Sequence, residues 1–122
     1  MTRKAYVAAF CLLLLITSCT TIPERFKQNP QFSTDGGYVV ESEDSEGFNL
    51  EIFYKSYSFF PNPDDNIQDA RNFFIRIAQD WARERGKAIM PILTSQLTTN
   101  ATRNIMDGYY AIYVSGRINY VK

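Results

Sequence analysis

Apolar and polar residues alternate most clearly over Phe48-Asn49-Leu50-Glu51-Ile52-Phe53-Tyr54-Lys55. Successive side chains of an extended chain point to opposite faces, so Phe48, Leu50, Ile52 and Tyr54 share one side while Asn49, Glu51 and Lys55 share the other. This is the strongest strand signal in the chain. A shorter run of strand formers, Tyr38-Val39-Val40, precedes it, and the polar stretch Glu41-Ser42-Glu43-Asp44-Ser45-Glu46-Gly47 turns the chain between them. The two runs are expected to pair as a hairpin.

The period then changes. Ile67, Ala70, Phe74, Ile77, Ala78 and Trp81 recur every three or four residues, and Gln68, Arg71, Gln79, Arg83 and Glu84 occupy the opposite face. Such a stripe belongs to a helix with one buried side. Asn62-Pro63-Asp64-Asp65 supplies its start: a capping residue, a proline where no N–H is needed, and two carboxylates against the positive end of the helix dipole. Arg83 and Arg85 crowd the last turn and Gly86 supplies the stop. The spacing predicts one helix of about twenty-two residues, ~33 Å long.

Beyond Gly86, Ala88-Ile89-Met90-Pro91-Ile92-Leu93-Thr94 is apolar and extended, and the polar run Ser95–Thr102 continues it with strand propensity in its threonines. Pro91 cannot donate to a ladder and marks an edge or a bulge. Asn104-Ile105-Met106-Asp107-Gly108 is turn chemistry, and Tyr109–Tyr120 is a long aromatic and β-branched strand. The order strand, strand, helix, strand, strand predicts an α+β two-layer sandwich, an antiparallel sheet with one long helix packed on one face.

A different pattern opens the chain. Arg3 and Lys4 precede an apolar run from Ala5 to Ile16, well short of the ~20 residues a spanning helix needs. A positive start, a short apolar stretch and a small-residue exit describe an export signal that is removed. The exit reads Ile16-Thr17-Ser18-Cys19, which resembles the lipobox of bacterial lipoproteins. The resemblance implies that residues 1–18 are a cleaved signal peptide, that Cys19 becomes the first residue, and that its sulfur carries a diacylglyceryl group and its amine a further acyl chain. One acyl chain holds a protein only marginally, whereas two or three hold it stably. The expected location is therefore the cell envelope, with the membrane as a partner through lipid on Cys19. Thr20 stands where an Asp would resemble an inner-membrane retention signal, which favours the outer membrane in a source that has one.

Residues 19–36 are polar, broken by Pro23 and Pro30, and lack either period. They are expected to form the lipidated N-terminus and a flexible tether, although Phe26 and Phe32 offer rings that can dock on the domain. Residues 37–122 are expected to form a single small α+β domain.

Composition removes more functions than it suggests. The 13 basic and 13 acidic residues balance, and the signal carries away Arg3 and Lys4, so bulk-charge binding of nucleic acid or acidic lipid is not expected. The chain has no histidine, and its two cysteines are Cys11, inside the signal, and Cys19. The folded part therefore lacks a disulfide, a Cys–His pair, and the usual zinc and haem ligands, and no cofactor or metal is expected. The acidic run 41–46 lacks the spacing of a calcium loop and reads as a solvated turn.

What chemistry remains is sparse. Asp64-Asp65 is a carboxylate pair near aromatics, as a small carboxylate-dependent cell-wall hydrolase would need, but a helix N-terminus collects acids for its own reasons. No catalytic residue is assigned. Tyr57, Phe59 and Phe60, beside the Pro-Asn-Pro turn, form a candidate partner patch, unless that turn folds back and plugs one end of the core. Tyr109, Tyr110, Tyr113 and Tyr120 place rings on both faces of the last strand. One face must be core; the other is a platform for sugar or peptide, or a plain tyrosine-covered sheet.

Gly37-Tyr38, Phe48-Asn49-Leu50-Glu51-Ile52-Phe53 and Arg76-Ile77-Ala78-Gln79-Asp80-Trp81 running to Arg85-Gly86 resemble a family of small uncharacterised bacterial envelope lipoproteins, over about residues 36–90. The chain departs from that pattern at Tyr57-Ser58-Phe59-Phe60-Pro61, where relatives carry a Gly/Asn-rich turn, and at Ile89, where an aromatic is usual. The resemblance implies the fold and an envelope location and supplies no site residues. The expectation is a non-catalytic binding or accessory module acting through envelope protein or cell-wall contacts.

Overall fold

The strand with the clearest alternation lies at the centre of the sheet. The computed structural model describes residues 20–57 and 63–122. Its strands are β1 (Lys27–Asn29), β2 (Ser33–Glu43), β3 (Gly47–Tyr57), β4 (Thr98–Arg103) and β5 (Tyr109–Asn119), and α1 (Pro63–Glu84) lies between β3 and β4 in the chain. The sheet is antiparallel throughout, in the order β1-β2-β3-β5-β4. The protein is thus α+β, one sheet with a long helix packed against it. The expected hairpin is present, with Tyr38 opposite Ile52 and Val40 opposite Leu50.

Both predicted periods end in the same core. Phe48, Leu50 and Ile52 of β3 and Ile112, Val114 and Ile118 of β5 are buried beneath Ala70, Phe74, Ile77 and Ala78 of α1. Alternation gathers the strand residues on one face and the 3.6-residue repeat gathers the helix residues on one stripe, so the two layers close on each other. Small residues at 70, 78 and 82 interleave with the rings of Phe48, Phe73 and Phe74, which lets the layers interdigitate.

The end of α1 is fixed twice over. Gly86 has φ of 65°, the Lys87 N–H donates to the Ala82 carbonyl at 2.9 Å and the Gly86 N–H to that of Arg83 at 3.0 Å. This is the Schellman arrangement that satisfies the last helical carbonyls. Arg85 then lies over the Trp81 ring, 3.4 Å from its centroid, and its Nε donates to Glu43 Oε1 at 2.9 Å. The Tyr120 hydroxyl donates to the same oxygen at 3.0 Å, so one carboxylate joins α1, β2 and the chain beyond β5. Nothing lies within 4 Å of a Cβ placed on Gly86. Gly86→Ala is therefore expected to lower stability through backbone strain alone, by about 1 kcal/mol. Urea denaturation measures this, and an unchanged midpoint would show that the left-handed cap is not needed.

Two stretches differ from expectation. The apolar run 88–94 is not a ladder strand: Ile89 bridges Tyr120, and the chain then passes through a 3-10 turn at Thr94–Gln96. Pro91 has no N–H to continue the pairing. The threonine-rich stretch beyond it, expected to carry strand, pairs as β4, with Thr99 opposite Val114 and Ala101 opposite Ile112. The second difference lies at the other edge. Residues 27–36, expected within a tether, form β1 and the start of β2, with Lys27 opposite Tyr38 and Gln28 opposite Gly37. Phe26, only 5% exposed, anchors the segment: burying such a ring contributes about 1.5–3 kcal/mol, enough to offset the ordering of one or two residues, and ladder pairing with β2 holds the rest. A Cβ on Gly37 would stand 2.7 Å from that of Phe26, so glycine there lets the N-terminal segment lie flat on the sheet.

Candidate functional site

With α1 on one face, the other face of the sheet is where the protein can meet something else. In register, Glu51, Phe53, Lys55 and Tyr57 of β3 stand opposite Ser115, Tyr113, Ala111 and Tyr109 of β5. Phe53 breaks the polar half of the β3 alternation, yet it is buried. Its ring centroid is 5.3 Å from that of Tyr113 and 6.0 Å from that of Phe26, which is itself 6.0 Å from Tyr113. The N-terminal segment thus roofs part of this face. Arg25 covers the outer side, 4.2 Å over the Phe26 ring, and donates from Nη2 to Glu51 Oε1. That hydrogen bond holds the Glu51 carboxyl below its ordinary value, while hydrogen bonding to Glu51 pushes the Glu41 carboxyl up.

The uncovered part lies towards the end of β3. Tyr57 is 56% exposed, and its ring stacks at a tilt on Tyr109, 5.2 Å between centroids. Lys55 Nζ sits 5.4 Å over the same Tyr109 ring. Of the patch expected around Tyr57, Phe59 and Phe60, the described residues include Tyr57 alone, and Tyr109 is the ring brought to it. Cys19 and the signal segment also lie outside the described residues. The last strand divides as expected: Tyr110 and Tyr120 are buried on the helix side, whereas Tyr109 and Tyr113 belong to the open face.

Below Tyr113 an open groove of about 750 Å³ runs between the first described residues and the β4–β5 turn, lined by Thr20, Phe53, Thr102, Ile105, Met106 and Tyr113 among others. Thr20 is held there by two side chains of the turn. Its N–H donates to Asp107 Oδ2, and Asn104 Nδ2 donates to its hydroxyl at 3.2 Å. Partial desolvation acts to raise the Asp107 carboxyl, but the N–H groups of Thr20 and Tyr109 outweigh it and hold it below its ordinary value.

Comparison with protein-family models, curated proteins and solved structures finds no match. The chemistry of the site therefore rests on its own residues. No group of three or more His, Cys, Asp or Glu residues among those described is placed to hold a metal ion. The acidic run 41–46 is engaged by arginines: Arg117 Nη2 donates to both Asp44 oxygens at 2.8 and 2.9 Å, Arg85 binds Glu43, and Arg25 stands 4.0 Å from Glu41. The Arg117 bond holds the Asp44 carboxyl below its ordinary value. Asp64 and Asp65 are exposed in the first turn of α1. What the open face presents is rings, a lysine and hydrogen-bonding edges, an arrangement suited to contact.

Sequence reasoning passed over Phe53, Arg25 and the outward pair Ile105 and Met106. The signal for Phe53 was present: an aromatic on the polar phase of a strand, with Phe26 upstream as a ring that can dock on the domain.

Proposed function

We propose that this protein is a lipid-anchored envelope lipoprotein, held at the membrane through Cys19, that acts without catalysis by contacting an envelope protein or cell-wall polymer. Its contact surface is the open face of the sheet around Tyr57, Tyr109 and Lys55; Phe59 and Phe60 follow Tyr57 closely in the sequence. The observation that carries this reading is exposed Tyr57, with half-buried Tyr109 against it, on a face that the helix leaves uncovered. Tyrosines present large, rigid, amphipathic area at low entropic cost, which is why they anchor interfaces. The lipobox pattern Ile16–Cys19 supports the location. A small-residue exit followed at once by an ordered domain suits a module that works close to the bilayer.

A photoreactive residue placed in living cells at Tyr57 or Tyr109, with exposed Gln68 on the helix side as control, tests the surface. The expected result is one discrete adduct from positions 57 and 109 and none from 68. Its mass and its sensitivity to protease or to cell-wall hydrolase separate a protein partner from a polymer. Silence at both tyrosines, or equal labelling from all three positions, would remove the open face as the contact surface.

A further inference from the structure

The β4–β5 turn inverts the usual rule for loops, in which polar side chains face water and apolar ones turn inward. Its polar side chains Asn104 and Asp107 are half-buried and occupied in hydrogen bonds. Asn104 Oδ1 accepts from the Met106 N–H at 3.0 Å, Asp107 Oδ1 accepts from the Tyr109 N–H at 3.0 Å, and both side chains also hold Thr20. The backbone closes as well, with the Asn104 N–H donating to the Tyr109 carbonyl at 2.8 Å and the Gly108 N–H to that of Asn104 at 2.9 Å. Gly108, at φ of 75°, supplies the left-handed residue. The two residues left to point outward are Ile105, 92% exposed, and Met106, 73% exposed. A turn this well ordered that displays two large aliphatic side chains has the form of a built apolar tip.

Its position in the chain says what the tip meets. Thr20, bound to this turn, directly follows Cys19, and adjacent Cα atoms are only about 3.8 Å apart. A lipid on Cys19 therefore enters the bilayer beside Ile105 and Met106, with no tether between them. We infer that the β4–β5 turn is a second membrane contact, in which Ile105 and Met106 enter the acyl boundary of a phospholipid surface beside the lipidated N-terminus. This rests on the lipoprotein reading. Side chains of this kind lie about 5–10 Å deep at such a boundary. Tyr57 and Tyr109 then stand near the headgroup level, where amphipathic rings collect, and Lys55 and Arg103 lie on the same end of the sheet. The domain is thereby docked in one orientation, and its open face is presented beside the membrane.

The test uses the full-length protein, processed in cells, purified in detergent and reconstituted into vesicles of zwitterionic and anionic phospholipid. An environment-sensitive dye is attached at Met106→Cys or, as control, at Gln68→Cys. Mass spectrometry of the same sample reports whether Cys19 is acylated. The expected result is acylated Cys19, with dye emission at 106 shifted to shorter wavelength and quenched by spin-labelled lipid, while dye at 68 remains as in water. Acylated Cys19 with dye at 106 as water-exposed as at 68 overturns the second contact and leaves the lipid anchor standing. Unacylated Cys19 overturns the anchor reading and the inference built on it. Circular dichroism checks that both variants keep the fold, as exposed positions should.

Discussion

Phe74→Ala will destabilise the domain by about 3–5 kcal/mol, the range for emptying a fully buried aromatic site. Phe74 lies in the middle of the α1 stripe and is wholly buried. Across from it, β5 carries Gly116, and the Phe74 Cζ atom is 3.7 Å from where a Gly116 Cβ would stand. The ring fills the space that the glycine leaves in the sheet, while the Leu97 side chain closes it from the β4 side, 2.7 Å from the same point. Few neighbours can move into the gap. β3 and β5 are held by an unbroken register from Gly47–Asn119 to Tyr57–Tyr109, so the sheet cannot collapse inward without breaking hydrogen bonds, and the cavity term stays large. A domain of this size has only about 5–15 kcal/mol in total, and the variant is expected to be marginal at physiological temperature. Urea denaturation followed by far-ultraviolet circular dichroism should show a lower midpoint at constant slope. A loss below about 1 kcal/mol would mean that the helix does not seat on the sheet through this residue.

Phe74 also marks how far the sequence could be read. The elements that carry the core are periodic over short windows, and periodicity is local: Phe48, Leu50 and Ile52 declare a strand face, and Ala70, Phe74, Ile77 and Ala78 declare a helix stripe. The two must face each other because each has nowhere else to bury its apolar side. The helix end was legible for the same reason, since Arg83, Arg85 and Gly86 are consecutive signals.

What escaped was non-local. Phe26 and Phe53 are 27 positions apart by their numbers, and neither is periodic with its neighbours; only the fold shows that each covers the other. Arg117 and Asp44 are separated by 73 positions, so the acidic run is exposed as read while its ion pairing lies outside any local window. The β4 assignment was legible in part: the threonines of the polar run carry the strand, whereas the apolar run 88–94 ahead of them makes only the Ile89–Tyr120 bridge, because Pro91 lacks the donor that a ladder needs. At the turn, Asn104, Asp107 and Gly108 declare a tight bend correctly. That the bend turns its polar side chains inward, on to Thr20, depends on where the N-terminal segment lies, and no window of sequence contains that information.

Cys19→Ala should release the protein from the membrane, the largest functional effect of any single change. By the lipobox reading, the wild-type sulfur and amine carry acyl chains whose burial contributes ~0.8 kcal/mol per methylene. Without the thiol there is nothing for the diacylglyceryl group to attach to. The Ala5–Ile16 run is too short to span, and Ile105 and Met106 together offer at most about 3–6 kcal/mol. That is comparable to one acyl chain, which binds only reversibly. On the proposed reading the tip sets orientation and the lipid sets residence, and the two can be separated experimentally. Labelled fatty acid should enter wild-type protein and not Cys19→Ala, and detergent phase partitioning should move the variant to the aqueous phase. Replacing Ile105 and Met106 with Asp should leave both of those readouts at wild-type level, changing only how the domain sits on the bilayer. Equal acyl labelling of wild type and Cys19→Ala, or none in either, would sink the anchor. Release caused by the turn substitutions in fully acylated protein would instead mean that the lipid alone does not hold the domain, and that the division of labour between lipid and turn is wrong.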